Sequence, residues 1–175
     1  MRKTFFFIAL AMILIDQTTK AWARGAADWT EGKTFLTLWP GVFELKLVFN
    51  RGIAFGLFQG SGVWLAPAAL VIAVGAAWYS VRHRDEPRWS HVTMALLFAG
   101  AIGNLIDRVA FNKVTDLFYL RVIDFPVFNV ADVCITSAGV MLALGAIGEI
   151  FIKRQVEQDS GEAEAGTTGQ ENAAP

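Results

Sequence analysis

Cysteine is almost missing from this chain: Cys134 is the only one in 175 residues. An internal disulfide framework is therefore excluded, and thiols say little about the redox compartment. Histidine is scarce too, and His83 and His91 are too few and too badly spaced for most zinc sites. No H-E-x-x-H motif occurs, which removes a zinc protease of that form. There is no G-x-S-x-G elbow, and neither Cys134 nor Ser137 has a histidine or lysine in reach, so nucleophilic catalysis has little support. A buried helical cysteine is usually just a small hydrophobe. Charge is thin as well. Only 18% of residues are charged and the net charge is −1, which predicts no general affinity for nucleic acid or acidic partners.

Apolar sequence fills the space. Hydrophobic residues make up 54% of the chain and the mean hydropathy is +0.44, the composition of a membrane protein. The uncharged run 4–15 follows Arg2 and Lys3. Ala21-Trp22-Ala23 imitates a signal-peptide cleavage site, but Asp16 and Lys20 interrupt that region, so a retained helix to about Trp22 is expected. No charge occurs from Gly52 to Val81, enough for a second span even if part of it is re-entrant, with Pro67 near the start of its helical part. Residues 91–109 and 130–152 supply a third and a fourth span. Gly100, Ala101 and Gly103 would let a neighbouring helix come close.

Between the first two spans the period changes. Phe43, Leu45, Leu47 and Phe49 alternate with Glu44, Lys46 and Val48, a half-buried strand. Pro40-Gly41 marks a turn before it, and residues 34–39 suit the preceding strand. Residues 111–128 read as an exposed loop. The tail 155–175 holds five acids, no Lys or Arg and few bulky apolar residues, so it is expected to be disordered. The fold class expected is a mainly α membrane protein: four transmembrane helices with a small extracytoplasmic β-sheet at about 25–56, within one domain of residues 1–154.

Orientation follows from basic residues near the span ends. Arg2, Lys3, Arg82, Arg84, Arg88, Lys153 and Arg154 share one side, which the positive-inside rule makes cytoplasmic, with both termini there. Asp16, Asn50, Asn104, Asp107, Asp116, Asn129 and Asp132 then gather at the outer interface. Asp16 and Lys20 either neutralise each other or act near that site. Gly52, in the stretch Asn50-Arg-Gly-Ile-Ala-Phe55, permits close approach of a substrate chain, or simply a loop entering a helix.

Residues 100–132 concentrate the chemistry, with Asp107, Asp116, Asp124 and Asp132 flanked by membrane-grade sequence. Carboxylates there persist when paired or functional. N-x-x-D occurs twice, at Asn104 to Asp107 and Asn129 to Asp132, a spacing that lets each Asn bond the Asp one helical turn on. Asp107 and Arg108 also suit a structural ion pair. Two acids sharing a site titrate apart, so one can take a proton from water while the other donates to a carbonyl oxygen. Spacing alone lets Asp132 pair with Asp107, Asp116 or Asp124. A small proton-coupled transporter or assembly subunit is the alternative from another class, though a relay should place acids at several depths. A non-catalytic scaffold whose Asp and Asn join helices is a third.

Four stretches in order, Asp16-Gln-Thr-Thr-Lys20, Asn50-Arg-Gly-Ile-Ala-Phe55, Gly103-Asn-Leu-Ile-Asp-Arg108 and Phe128-Asn-Val-Ala-Asp132, resemble prolipoprotein signal peptidase (signal peptidase II), the bacterial aspartic membrane protease family. The resemblance implies that the F-N-x-A-D aspartate is Asp132. It implies that the V-x-D-F aspartate is Asp116, with Leu117 where that pattern has Phe; Val122-Ile-Asp124-Phe125 matches the letters but lies too near Phe128. By the same resemblance Asn50, Gly52, Asn104, Asp107, Arg108 and Asn129 support or line the site. The expected activity is removal of signal peptides from diacylglyceryl-modified prolipoproteins, before the lipidated cysteine, in the bacterial inner membrane. No metal or organic cofactor is implied, the partners are the substrate and membrane lipid, and a monomer is expected.

Overall fold

The computed structural model describes residues 2–52 and 65–171 and divides into two compact units, Met1–Gly139 and Val140–Pro175. Helix α1 spans Arg2–Ala26, one turn beyond the end expected at Trp22. Strands β1 (Thr34–Trp39) and β2 (Phe43–Asn50) follow, then α2 (Leu65–Arg82) and α3 (Arg88–Phe111). Strand β3 (Val114–Leu120), a single 3-10 turn (Arg121–Ile123) and α4 (Val130–Glu171) complete the order. The stretches Lys3–Ala26, Arg88–Phe111 and Val130–Phe151 are long and apolar enough to cross a membrane, and Ala66–Arg82 is a shorter apolar helix. Part of the uncharged stretch expected to begin the second span, residues 53–64, lies outside the described residues.

The first unit packs α3 between α1 and α2. Phe5 and Ala9 of α1 meet Ala95 of α3 in one small core, with Phe98 tilted against Phe5 at 5.5 Å. Outside it, Phe7, Leu10 and Leu14 of α1 and Val71 and Val74 of α2 stay exposed, an apolar surface that suits lipid rather than water. Proximity is set by two glycines of α3. A methyl built on Gly100 would stand 2.5 Å from the Ala131 carbonyl oxygen, and one on Gly103 would stand 2.6 Å from Asp16 Oδ2. Only residues without a Cβ admit α4 and α1 at that distance.

The sheet is antiparallel in the order β1-β2-β3. Pro40 and Gly41 make the β1–β2 turn, closed by Val42 N–H on the Trp39 carbonyl at 3.0 Å, with Gly41 at φ 75°. A correction concerns residues 111–128, read from sequence as an exposed loop: they contain β3, which pairs along β2 and is largely buried. Its ladder partner β2 lies far off in sequence, which hid its strand character, and the burial comes from the neighbours. Leu47 and Phe49 of β2 and Leu117 of β3 pack on Ala23 of α1 and on Ala27 just past its end. Between Leu45 and Val48, β2 carries a register shift that sets Val48 opposite Asp116.

In the second unit α4 is helical to Glu171, through most of the tail that composition marks as disordered. Residues 155–171 contain no proline and are rich in Glu and Gln, which favour helix once a preceding turn exists, against three glycines that disfavour it.

Candidate active site

Asp116 is aimed by strand alternation. Thr115 accepts a hydrogen bond from Arg24 Nη1 on α1 (2.9 Å) and Leu117 enters the α1-facing core, so Asp116 between them turns the other way. It borders a cavity of about 940 Å³. Leu117 does its packing away from that cavity, which is why a leucine serves there.

Asp132 reaches the same cavity from α4. The approach is fixed by β3: the Phe128 carbonyl accepts the N–H groups of Leu117 (3.0 Å) and Phe118 (2.8 Å), and Phe128 N–H returns a bond to the Phe118 carbonyl (3.0 Å). Asn129 then caps α4. Its Oδ1 accepts the Asp132 N–H at 2.9 Å, while Asp132 Oδ2 accepts the Asn129 N–H at 3.1 Å. This reciprocal capping box satisfies two N–H groups that the helix itself leaves open, and such a cap contributes about 1 kcal/mol.

Side-chain amides tie the two acids together. Asn129 Nδ2 donates to Asp116 Oδ1 at 2.6 Å and to Asn104 Oδ1 at 3.2 Å. Asn104 Nδ2 donates to Asp132 Oδ1 at 2.8 Å. Asn50 also hydrogen-bonds Asp116, and its Oδ1 accepts the Gly52 N–H at 2.9 Å. Burial, and then the nearby Asp132 carboxylate, push the Asp116 carboxyl up to about 8.

Beneath the amides lies a buried ionic ladder. Lys20 Nζ pairs with Asp16 Oδ2 (2.9 Å), donates to Asn104 Oδ1 (3.0 Å) and stands 3.8 Å from Asp107 Oδ2. Arg24 Nη1 stands 3.6 Å from Asp107 Oδ1. Asp16 Oδ1 accepts the Ala131 N–H (2.9 Å), so a side chain of α1 also caps α4. Asp107 Oδ2 accepts the Thr115 N–H (2.8 Å), tying α3 to β3.

Two local expectations are overturned. Asn104 was expected to bond Asp107 along α3; its amide instead spans Lys20 and Asp132, because an ammonium and a carboxylate on either side outcompete a helical neighbour that other donors already serve. Asp107 was matched with Arg108; its cationic partners are Lys20 and Arg24 on α1. Arg108 points to the cavity, where its Nη2 donates to the Gly52 carbonyl at 3.3 Å. Asp124 is not brought to the cavity: it sits in the left-handed region at φ 46°, exposed, and accepts the Tyr119 hydroxyl at 2.6 Å. Three residues went unremarked in the sequence. Gln17 bridges Asp16 Oδ2 and the Gly103 carbonyl, both at 3.0 Å. Arg24 and Thr115 complete the ladder. Arg24 was readable, since it continues the four-residue spacing of Asp16 and Lys20 along α1.

An apolar helical membrane protein with two acids joined by amides at one cavity is the class these features define. The sequence pattern of the family described as signal peptidase (SPase) II matches residues 8–148, and the chain belongs to that family. It is 40% identical over 143 residues to a lipoprotein signal peptidase of Gloeobacter violaceus, covering 82% of this chain and 81% of that one. A lipoprotein signal peptidase of Cyanothece sp. is 37% identical over 158 residues, covering 90% and 91%. The fold is similar to a solved structure described as a bacterial membrane enzyme, with a TM-score of 0.77 and 26% identity over 85% of this chain and 90% of that one.

Proposed function

We propose that this protein is a membrane aspartic endopeptidase that removes the signal peptide from diacylglyceryl-modified prolipoproteins, cutting just before the lipidated cysteine. The observation that carries the reading is that Asp116 and Asp132 border one cavity and are both bonded by Asn129. Charge balance supports it. Asp16 and Asp107 are offset by Lys20 and Arg24, which leaves Arg108 facing the two acids. One shared proton makes that remainder neutral, the arrangement a buried site favours.

The roles follow from the surroundings. Asp132 lies at the first turn of a helix and accepts two N–H donors, which suits the charged form. Asp116, buried on β3, carries the proton at neutral pH. Asp132 takes a proton from water, the water oxygen attacks the scissile carbonyl carbon, and Asp116 gives its proton to the carbonyl oxygen. Collapse of the tetrahedral intermediate breaks the C–N bond, with the proton held by Asp132 passing to the leaving amine and one hydroxyl proton of the intermediate returning to Asp116 as the new carbonyl forms. Side chains of Ile72, Leu97, Ala101 and Val133 line the same cavity, a surface for an apolar signal helix and acyl chains. All these groups come from one chain, so a monomer suffices, and the site faces the extracytoplasmic side with both termini inside.

The test is cleavage of a lipidated precursor by purified protein in detergent. Asp116→Asn and Asp132→Asn should each lower the rate by about a thousandfold with the fold retained, whereas Asp124→Asn should change it little. Full cleavage by Asp116→Asn with loss in Asp124→Asn would overturn the assignment.

A further inference from the structure

Lys20 is fully buried on α1, and its hydrogen bonds and ion pairs go to Asp16, Asp107, Asn104 and the Gly103 carbonyl rather than to either acid of the pair. Its ammonium has donors only, and it meets three acceptors: Asp16 Oδ2 at 2.9 Å, Asn104 Oδ1 at 3.0 Å and the Gly103 carbonyl at 3.4 Å. A carboxamide accepts at one end and donates at the other. A donor-only partner at Asn104 Oδ1 therefore obliges Nδ2 to face Asp132 Oδ1, where it lies at 2.8 Å. Turned over, the amide would set N–H against ammonium and oxygen against carboxylate, two buried repulsions. The other two amides are oriented by main chain, Asn129 by the Asp132 N–H and Asn50 by the Gly52 N–H. Asn104 Oδ1 also accepts Asn129 Nδ2 at 3.2 Å, but Asn104 alone among the three carries an ionic side chain at its oxygen, Lys20 at 3.0 Å.

We propose that Lys20 is a positioning residue for the reaction: by fixing the direction of the Asn104 amide it keeps a hydrogen-bond donor on Asp132 and so holds the single negative charge of the acid pair there. The proposal rests on the acid-pair reading above. Charged and titratable groups around this relay are Asp16 and Arg24 on α1, Asp107 and Arg108 on α3, Asp116 on β3, and Asp132 and Cys134 on α4. Lys20 also attracts both acids through space while Asp16 repels Asp132, opposing effects that removing Lys20 and Asp16 together offsets, so that the paired change reads the amide route.

The experiment uses the full chain in detergent and reads the protonated-carboxyl infrared band during a pH titration, so that no turnover is required. Asp116→Asn and Asp132→Asn assign the band. Lys20→Met combined with Asp16→Asn removes the ion pair without leaving a lone charge, and the introduced amide still offers an acceptor to Ala131 N–H. Its titration midpoint should rise by about one pH unit, as should that of Asn104→Ala, and the triple variant should match Asn104→Ala alone. Lys20→Gln with Asp16→Asn, which keeps hydrogen bonding and guards against misfolding of the methionine variant, should shift the same way. The acid limb of kcat/KM should follow the midpoint. An unmoved midpoint, a rate lowered equally at every pH, or a triple variant whose shift is the sum of the separate ones would overturn the relay. If the Asp116 and Asp132 variants still cleave, the acid-pair reading itself fails, a distinguishable result.

Discussion

Along α3, buried polar side chains gather at both ends. Toward its C-terminus Asn104, Asp107 and Arg108 join Lys20, Arg24, Asp116, Asn129 and Asp132, drawn from three other elements. Toward its N-terminus Ser90, His91 and Thr93 are equally hidden, and there His91 Nδ1 lies 2.8 Å from Ser80 Oγ of α2. Asn104 and Arg108 open on the large cavity, while His91 does not line it and its Nε2 has no partner among the described residues. The first cluster orders two acids at a cavity. The second joins two helices, a common use of polar side chains in apolar surroundings.

The comparison can be broken most severely at Gly103. Gly103→Ala places a methyl 2.6 Å from Asp16 Oδ2 and 3.1 Å from Ala131 Cβ, so it should destabilise by about 1–3 kcal/mol and reduce precursor cleavage tenfold or more. Gly75→Ala, with nothing within 4 Å of the added carbon, is the control and should keep both thermal stability and rate. A harmless Gly103→Ala would show that the charged end tolerates loosening.

A middle-sized effect is expected from pH. Asp116 must be protonated to donate, so kcat/KM should fall as pH rises through about 8. Its folded value lies above the ordinary 3.8, so its contribution to stability is full below 3.8, shrinks as pH rises and is lost above about 8. Melting temperature measured across that range should decline, and Asp116→Asn should flatten the decline. The smallest effect belongs to the other end of α3. Ser80→Ala removes the hydroxyl facing His91 and should cost about 1 kcal/mol in unfolding experiments, with the cleavage rate unaltered.

Much of this was legible in the residues. The apolar runs, the Pro40-Gly41 turn and the alternation of β2 are local signals, and local signals survive in a single sequence. The spacing of Asn129 and Asp132 announced that the two would bond, though not that each side chain would take the other's main-chain N–H. By contrast β3 depends on β2 for its ladder and on α1 for its burial, partners 64 to 91 residues away in its register and hydrogen bonds, so nothing nearby in sequence marked it. Asn104 and Asp107 failed as a pair for the same reason: their strongest partners arrive from α1, α4 and β3.

The capping box has a consequence for the life of the chain. The carboxylate that closes the first turn of α4 is the one proposed to activate water, so on that proposal winding of the turn and assembly of the acid pair are a single event.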